Sequence, residues 1–264
     1  MKTYHRRLTA TVNAKGVLDI DTVKGCALGM RAHPRNGCYG LCYACKIAVL
    51  YGIDFTKSVS RIPNNKDRRA LEAMVANHWA TWFRVGTAGD PCHDWNLTID
   101  VCKWFSRFKT PIIVTKHWIT LTDEQIGWLA ACQSIVNTSV SALDLPDERS
   151  YRLSQYKRLS EVGVRSVLRV VTCRFGENAL GKERDTIQSD LLSQPHVIDN
   201  PLRIPESDPR VASGEILIDE RVDSIGGSKV SVFNPSVYLG NCQGCPDQCG
   251  ATMFGDKRIF KDSK

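Results

Sequence analysis

Six of the eleven cysteines fall in two short stretches whose spacing suits metal chemistry. Cys38, Cys42 and Cys45 stand as CxxxCxxC within GCYGLCYACK, and Cys242, Cys245 and Cys249 as CxxCxxxC within NCQGCPDQCG. A compact loop of either kind can aim three thiolates at one point, and thiolate is the ligand that iron–sulfur clusters and zinc share. Three ligands on a four-iron cluster leave one iron open to bind a small molecule. A structural zinc would instead want a fourth ligand, which His33 could supply to the first stretch as a Cys3His set. The Gly- and Pro-containing second stretch is neither a helix face nor a core stripe, so metal is its natural reading too.

The first stretch, with the aromatic Tyr43 shortly before its third cysteine, resembles the signature of the radical S-adenosylmethionine (SAM) superfamily. The resemblance implies a catalytic 4Fe-4S cluster on Cys38, Cys42 and Cys45, whose open iron chelates the amino and carboxylate groups of SAM. An electron, delivered by a donor protein, then splits the sulfonium, and the resulting 5′-deoxyadenosyl radical abstracts hydrogen from substrate. The turn GTAGDP at 86–91 resembles the Gly-rich turn that meets the amino group of SAM, with an ending similar to the aminomutase and spore photoproduct lyase branches. Gly86, Thr87, Gly89 and Asp90 are thereby implied as SAM-binding: glycines let backbone approach the ligand, and a carboxylate accepts from an ammonium.

Polar residues at later strand ends extend the candidate set. Lys116 and His117 are candidates for catalysis, and by the resemblance Ser141 and Arg169 would hold the ribose and carboxylate of SAM. Cys173 could return a hydrogen to a product radical, against the ordinary reading of a small core residue. The tail cysteines resemble ligands of an auxiliary 4Fe-4S cluster, with Cys26 as a candidate fourth ligand.

These residues need a scaffold, and the chain offers alternating strand and helix patterns. Strands are expected near 15–25, 82–86, 111–118, 134–143 and 164–175, and helices near 65–82, 96–108, 122–132, 147–162 and 177–192. Thr122 and Gln125 form a capping-box pattern, and Gly163 is placed to stop a helix. The alternation predicts an α/β fold, a partial (β/α)6 TIM-like barrel over 1–205, followed by an irregular Cys-rich extension over 206–264. Such a fold puts its active site at the C-terminal strand ends. The proline-containing stretch 195–209 is expected to be irregular, and a strand is expected at 215–222.

Composition bounds the rest. A chain of 264 residues, 42% hydrophobic, can bury one full core. No apolar run is long enough to span a bilayer, and the start MKTYHRRLTATVN lacks the apolar stretch of a signal peptide, so an intracellular, cytoplasmic protein is expected, in the host cytoplasm if it is viral. Clustered cysteines in such a chain point to metal or catalysis before disulfides. The net charge of +7 suits a polyanionic partner. A small barrel, a basic chain and the GTAGDP turn favour a nucleotide or DNA substrate. In these respects the chain resembles phage-encoded radical SAM proteins, including those that isomerise glycine-modified thymidine in DNA. A radical SAM enzyme modifying a peptide and a non-enzymatic, zinc-stapled nucleic-acid-binding protein are the alternatives.

Overall fold

The computed structural model describes residues 1–222 and 228–255. Its elements run in the order β1 (Thr11–Val12), β2 (Leu18–Asp19), β3 (Val23–Lys24), α1 (Ala27–Ala32), α2 (Tyr43–Leu50), β4 (Val59–Ser60), α3 (Arg68–Asn77), β5 (Trp82–Val85), α4 (Trp95–Phe105), β6 (Thr110–Thr115), α5 (Asp123–Ala131), β7 (Ile135–Ser141), α6 (Pro146–Glu161), β8 (Arg165–Thr172), β9 (Arg174–Phe175), α7 (Ala179–Leu192), β10 (Val197–Ile204), α8 (Pro209–Ala212), β11 (Ile216–Leu217) and β12 (Lys229–Ser231). Short 3-10 turns lie at Cys38–Gly40, Asn65–Asp67, Pro91–Asp94 and Gln248–Phe254.

An eight-stranded sheet in the order β1-β2-β5-β6-β7-β8-β10-β12 organises the molecule. From β2 to β10 neighbouring strands are parallel, and antiparallel β1 and β12 form the edges. The parallel strands follow one another in chain order, each crossover carrying a helix, as expected of β/α units. The fold is α/β, and no pairing among the described residues closes the sheet on itself.

Successive residues of a strand enter different layers, which is the two-residue period of a sheet buried on both faces. Phe83, Ile113 and Val136 pack with Leu71, Phe105 and Leu129 of the helices, whereas Trp82, Ile112 and Ile135 pack on the opposite face with Val167, Ile198 and Ala251. That second face is covered by the chain's own C-terminal segment, with Cys242, Cys249 and Phe254 against it. The stretch beyond 205 is therefore joined to the main sheet, through β12 on its edge and through 248–254 on its inner face.

Local signals explain several boundaries. Thr122 and Gln125 make the full capping box at the start of α5, Asp94 accepts from Leu97 N at 3.1 Å at the start of α4, and Asn178 caps α7 through Gly181 N. Three expectations are corrected. The stretch 195–209 contains the sixth parallel strand, β10, and Pro201 sits where that strand leaves β8 (Pro201↔Thr172) and Leu202 takes up β12 (Leu202↔Ser231); a residue without an N–H is tolerated at such a changeover. The strand expected over 15–25 is two short ones, because β3 leaves the main sheet to pair with β4, and of the strand expected at 215–222 only Ile216–Leu217 pairs, with β9.

Candidate metal and ligand site

The cysteine loop and the Gly-rich turn face each other across one cavity of about 360 Å³, lined by Cys26, Cys38, Tyr39, Cys42, Tyr43, Gly86, Thr87, Gly89, Asp90, Lys116, Ser139, Asn200 and Arg203 among others. Gly86, Lys116 and Ser139 come from the C-terminal ends of β5, β6 and β7 or just beyond them, where an α/β sheet places its ligands.

Each wall is locally built. The loop turns sharply, with Asn36, Gly37, Tyr39 and Gly40 all in the left-handed region, at φ of 62°, 71°, 60° and 71°. For Asn36 and Tyr39 that is strain, which persists only when the surroundings over-determine it. A Cβ on Gly37 would meet Cys42 Cβ at 2.7 Å, so the loop closes against its own second cysteine. Cys42 is the N-cap of α2, its side chain making no capping hydrogen bond, and the nearby N–H groups of Ala44 and Cys45 favour its thiolate against the effect of burial. The turn is held from below by Asp21, whose carboxylate accepts from Gly86 N (3.1 Å), Thr87 N (2.7 Å) and Ala88 N (3.2 Å). Asp19 accepts from Thr87 Oγ1 (3.0 Å) and pairs with Arg84 (2.9 Å). Gly86 must be glycine: its φ is 101°, and a Cβ would lie 2.2 Å from Val114 O.

Buried charges tie the loop to the sheet. Tyr39 OH accepts from Lys116 Nζ, which also lies 3.3 Å from Asp144 Oδ1; Asp144 in turn pairs with Arg152, which reaches Glu148 at 3.3 Å, and Glu148 meets His33 Nε2 at 3.0 Å. His33 thus pairs with Glu148 through Nε2, and among the described residues it belongs to no assembled group of three metal-ligating side chains.

Burial pushes the Cys38 thiol up to about 11, with Lys116 partly opposing, and raises Cys42 and Cys45 as well. Each is a free thiol, as are the other cysteines. Among the described residues no three His, Cys, Asp or Glu side chains are already drawn together closely enough to hold a metal ion. Cys38 and Cys42 face the cavity, while Cys45 packs with Ala44, Ala48 and Phe55. A thiolate-bound group nevertheless fits the donor set, because nearby N–H groups favour the Cys42 thiolate and Lys116 favours that of Cys38; loading would need a turn of the Cys45 side chain and loss of thiol protons.

The tail repeats the pattern. Burial raises Cys245, while the N–H groups of Gln248 and Asp247, three and two residues on, favour its thiolate, as those of Cys45 and Ala44 do for Cys42. Buried Gln248 binds the loop together, donating to Cys242 O and Cys245 O, both at 2.9 Å, and accepting from Trp82 Nε1 at 3.1 Å. Cys249 O accepts from Asn137 Nδ2 at 3.0 Å, and Arg169 Nη1 lies 4.0 Å from Cys249 Sγ.

Of the residues singled out from sequence, Cys26, Cys38, Cys42, Tyr43, Gly86, Thr87, Gly89, Asp90 and Lys116 line the cavity. Asp90 does so with its carboxylate already engaged by Thr115 Oγ1 (2.7 Å), Lys116 N (2.8 Å) and Cys92 N (3.1 Å), which makes it a brace of the turn. The remaining candidates lie elsewhere. His117 is fully buried beside Trp95 and bonds Thr138, Ser141 Oγ donates to Val171 O, and Cys173 packs with Phe175 and Ile204. Arg169 turns to Asn137, Asn200 and the tail loop. Cys26 stands in the first cavity and not beside the tail cysteines. Asp19, Asp21, Asp144 and Gln248 escaped the sequence reading; two carboxylates at alternate positions of the apolar stretch LDIDT were the one signal available.

Comparison of the chain with family models, curated proteins and solved structures finds no match. No helix among the described residues is long and apolar enough to cross a membrane.

Proposed function

We propose that the protein is a radical SAM enzyme that modifies or rearranges a nucleotide base in DNA, isomerisation of glycine-modified thymidine being the reaction we favour. The observation that carries this reading is the meeting of Cys38 and Cys42 with Gly86, Thr87 and Gly89 across one cavity at the C-terminal strand ends. Residues that are 44 or more positions apart in sequence, and that separately resemble the two SAM-contacting motifs, face each other there. We read the sheet as a partial (β/α)6 barrel left open at its side, with the six parallel strands in chain order supporting that view.

When bound, a 4Fe-4S cluster with SAM would supply the electron and the hydrogen-abstracting radical, and the chain would supply position, polarity and dryness. Cys38, Cys42 and Cys45 would hold the cluster. With its N–H groups taken by Asp21, the 86–88 turn keeps its donors away from a ligand, the polarity that an incoming ammonium requires. Lys116 and the Tyr39 hydroxyl stand at the cavity wall, held by Asp144, and can orient polar groups of a substrate. The cavity has the size of a small-ligand site, roughly 300 Å³ at the lower limit, so a duplex would have to present an extruded base. The tail cysteines would hold a second 4Fe-4S cluster.

Anaerobic reconstitution, reduction with dithionite in the presence of SAM, and assay of 5′-deoxyadenosine alongside iron, sulfide and zinc test the reading. We expect 5′-deoxyadenosine with iron and sulfide for two clusters, and loss of product in Cys42→Ala. Stoichiometric zinc with no SAM cleavage would overturn it in favour of a zinc-stapled binding protein.

A further inference from the structure

Among the described residues the interior guanidiniums have partners, with one exception at the cavity. Arg84 is held by Asp19, Arg152 by Asp144 and Glu148, and Arg169 by Asn137 and Asn200. Arg203, near the end of β10, lines the cavity and makes no ion pair among the described residues, and its Nη1, closed off from solvent, finds no hydrogen-bond partner among them. Among the described residues nothing offsets the cost of burying part of this cation. A guanidinium at the cavity wall with no carboxylate beside it is the complement of an oxyanion with more than one oxygen to offer.

We propose that Arg203 is the anchor for a phosphate group of the substrate. This rests on the reading of the cavity as a nucleotide site, and it adds the contact by which the nucleotide is held. The phosphate can belong to a DNA strand or to a free nucleotide. Arg203 approaches the cavity from β10, whereas the Cys38–Cys42 loop and the 86–90 turn approach it from the other elements. Phosphate at Arg203 therefore fixes one end of a nucleotide while its base lies towards the loop and the turn.

The test is equilibrium binding by calorimetry to the reduced full chain, in which no radical chemistry takes part. Thymidine, thymidine 5′-monophosphate and the dinucleotide thymidylyl-thymidine, which has one internal phosphodiester, are titrated in turn. At least one phosphate-bearing ligand should bind about tenfold or more tightly than thymidine, the worth of one charged hydrogen-bonded contact. Arg203→Gln should abolish that gain while leaving thymidine binding unchanged, Arg203→Lys should keep part of it, and Lys157→Gln, on the exposed face of α6, should keep all of it. A gain confined to the dinucleotide assigns the phosphate to a strand, and one confined to the monophosphate assigns it to a free nucleotide.

Equal binding of all three ligands by the wild type overturns the proposal, as does an Arg203→Gln variant that keeps the phosphate gain. Weakened binding of SAM with the phosphate gain intact also overturns it, because Arg203 would then serve the carboxylate of SAM. Arg203-dependent phosphate binding in a protein that yields no 5′-deoxyadenosine keeps this inference and removes the radical reading. Production of 5′-deoxyadenosine without phosphate discrimination does the reverse.

Discussion

Lys116 Nζ lies 3.3 Å from Asp144 Oδ1 while donating to the hydroxyl of Tyr39, so a carboxylate beyond the end of β7 fixes a residue of the cysteine loop through a lysine at the end of β6. Asp144 also compensates Arg152, and both side chains are only 1% exposed. Replacing Asp144 with Asn leaves Lys116 without its carboxylate and Arg152 with Glu148 alone, in a buried site. We expect a loss of about 3–5 kcal/mol in unfolding free energy from urea titration, the usual cost of breaking one side of a buried pair. Asp123→Asn, whose pair with Arg158 is exposed on the carboxylate side, should cost less than about 1 kcal/mol in the same experiment.

Asp21 is the second lever on the site. It takes three consecutive N–H groups of the Gly-rich turn and touches nothing in the cavity itself, which makes it a positioning residue. Asp21→Asn puts an amide where one oxygen accepted, and at least one N–H of the turn then loses its partner. Binding of SAM to reconstituted protein, measured by equilibrium dialysis, should weaken about tenfold or more, with the iron content of the first site unchanged.

His117 gives the fold a pH dependence of known sign. Burial lowers it from its ordinary value to about 4, so the folded chain keeps it neutral where the unfolded chain protonates near 6.5. Its contribution is present in full above about pH 6.5 and is lost as pH falls towards 4, by an amount on the order of 3 kcal/mol. Unfolding free energies of wild type and His117→Asn between pH 7 and 4 should converge as the pH drops. Asn suits the site because His117 has a φ of 51°, in the region Asn tolerates best among residues with a Cβ. Parallel pH profiles for the two proteins would contradict the assignment.

Two glycines separate space from backbone. A Cβ on Gly250 would lie 2.6 Å from Val167 Cγ2, at a φ of 99°, where the tail loop presses on the inner face of the sheet. Gly250→Ala should therefore destabilise by about 1–3 kcal/mol in thermal unfolding. Gly127, inside α5, has nothing within 4 Å of its Cβ position, and Gly127→Ala should stabilise by about 0.5–1 kcal/mol.

Much of the scaffold was legible because its signals are local. The capping box at Thr122, the stop at Gly163 and the apolar runs of β6 to β8 are set by residues within a few positions of one another. β10 escaped because a proline within an eight-residue stretch speaks against a strand, and only the exchange of partners from β8 to β12 makes it tolerable. His117, Ser141 and Cys173 lie near strand ends as the pattern requires, but which way a strand-end side chain points depends on the packing of its neighbours. That direction is not written in spacing.

By itself the sequence determined the two cysteine loops, the glycine turn, the α/β alternation and the excess of positive charge, since each is a property of neighbouring residues or of the whole composition. Tertiary structure alone decided that Cys38 and Cys42 meet Gly86 and Thr87 across one cavity, and that Asp21 and Asp144 brace its walls. It also decided that the tail covers the inner face of the sheet and that Arg203 lines the cavity with no ion pair among the described residues. The reason is physical: a carboxylate distant in sequence costs little to specify locally, but its partner is chosen by which buried donors the closed fold would otherwise leave unsatisfied.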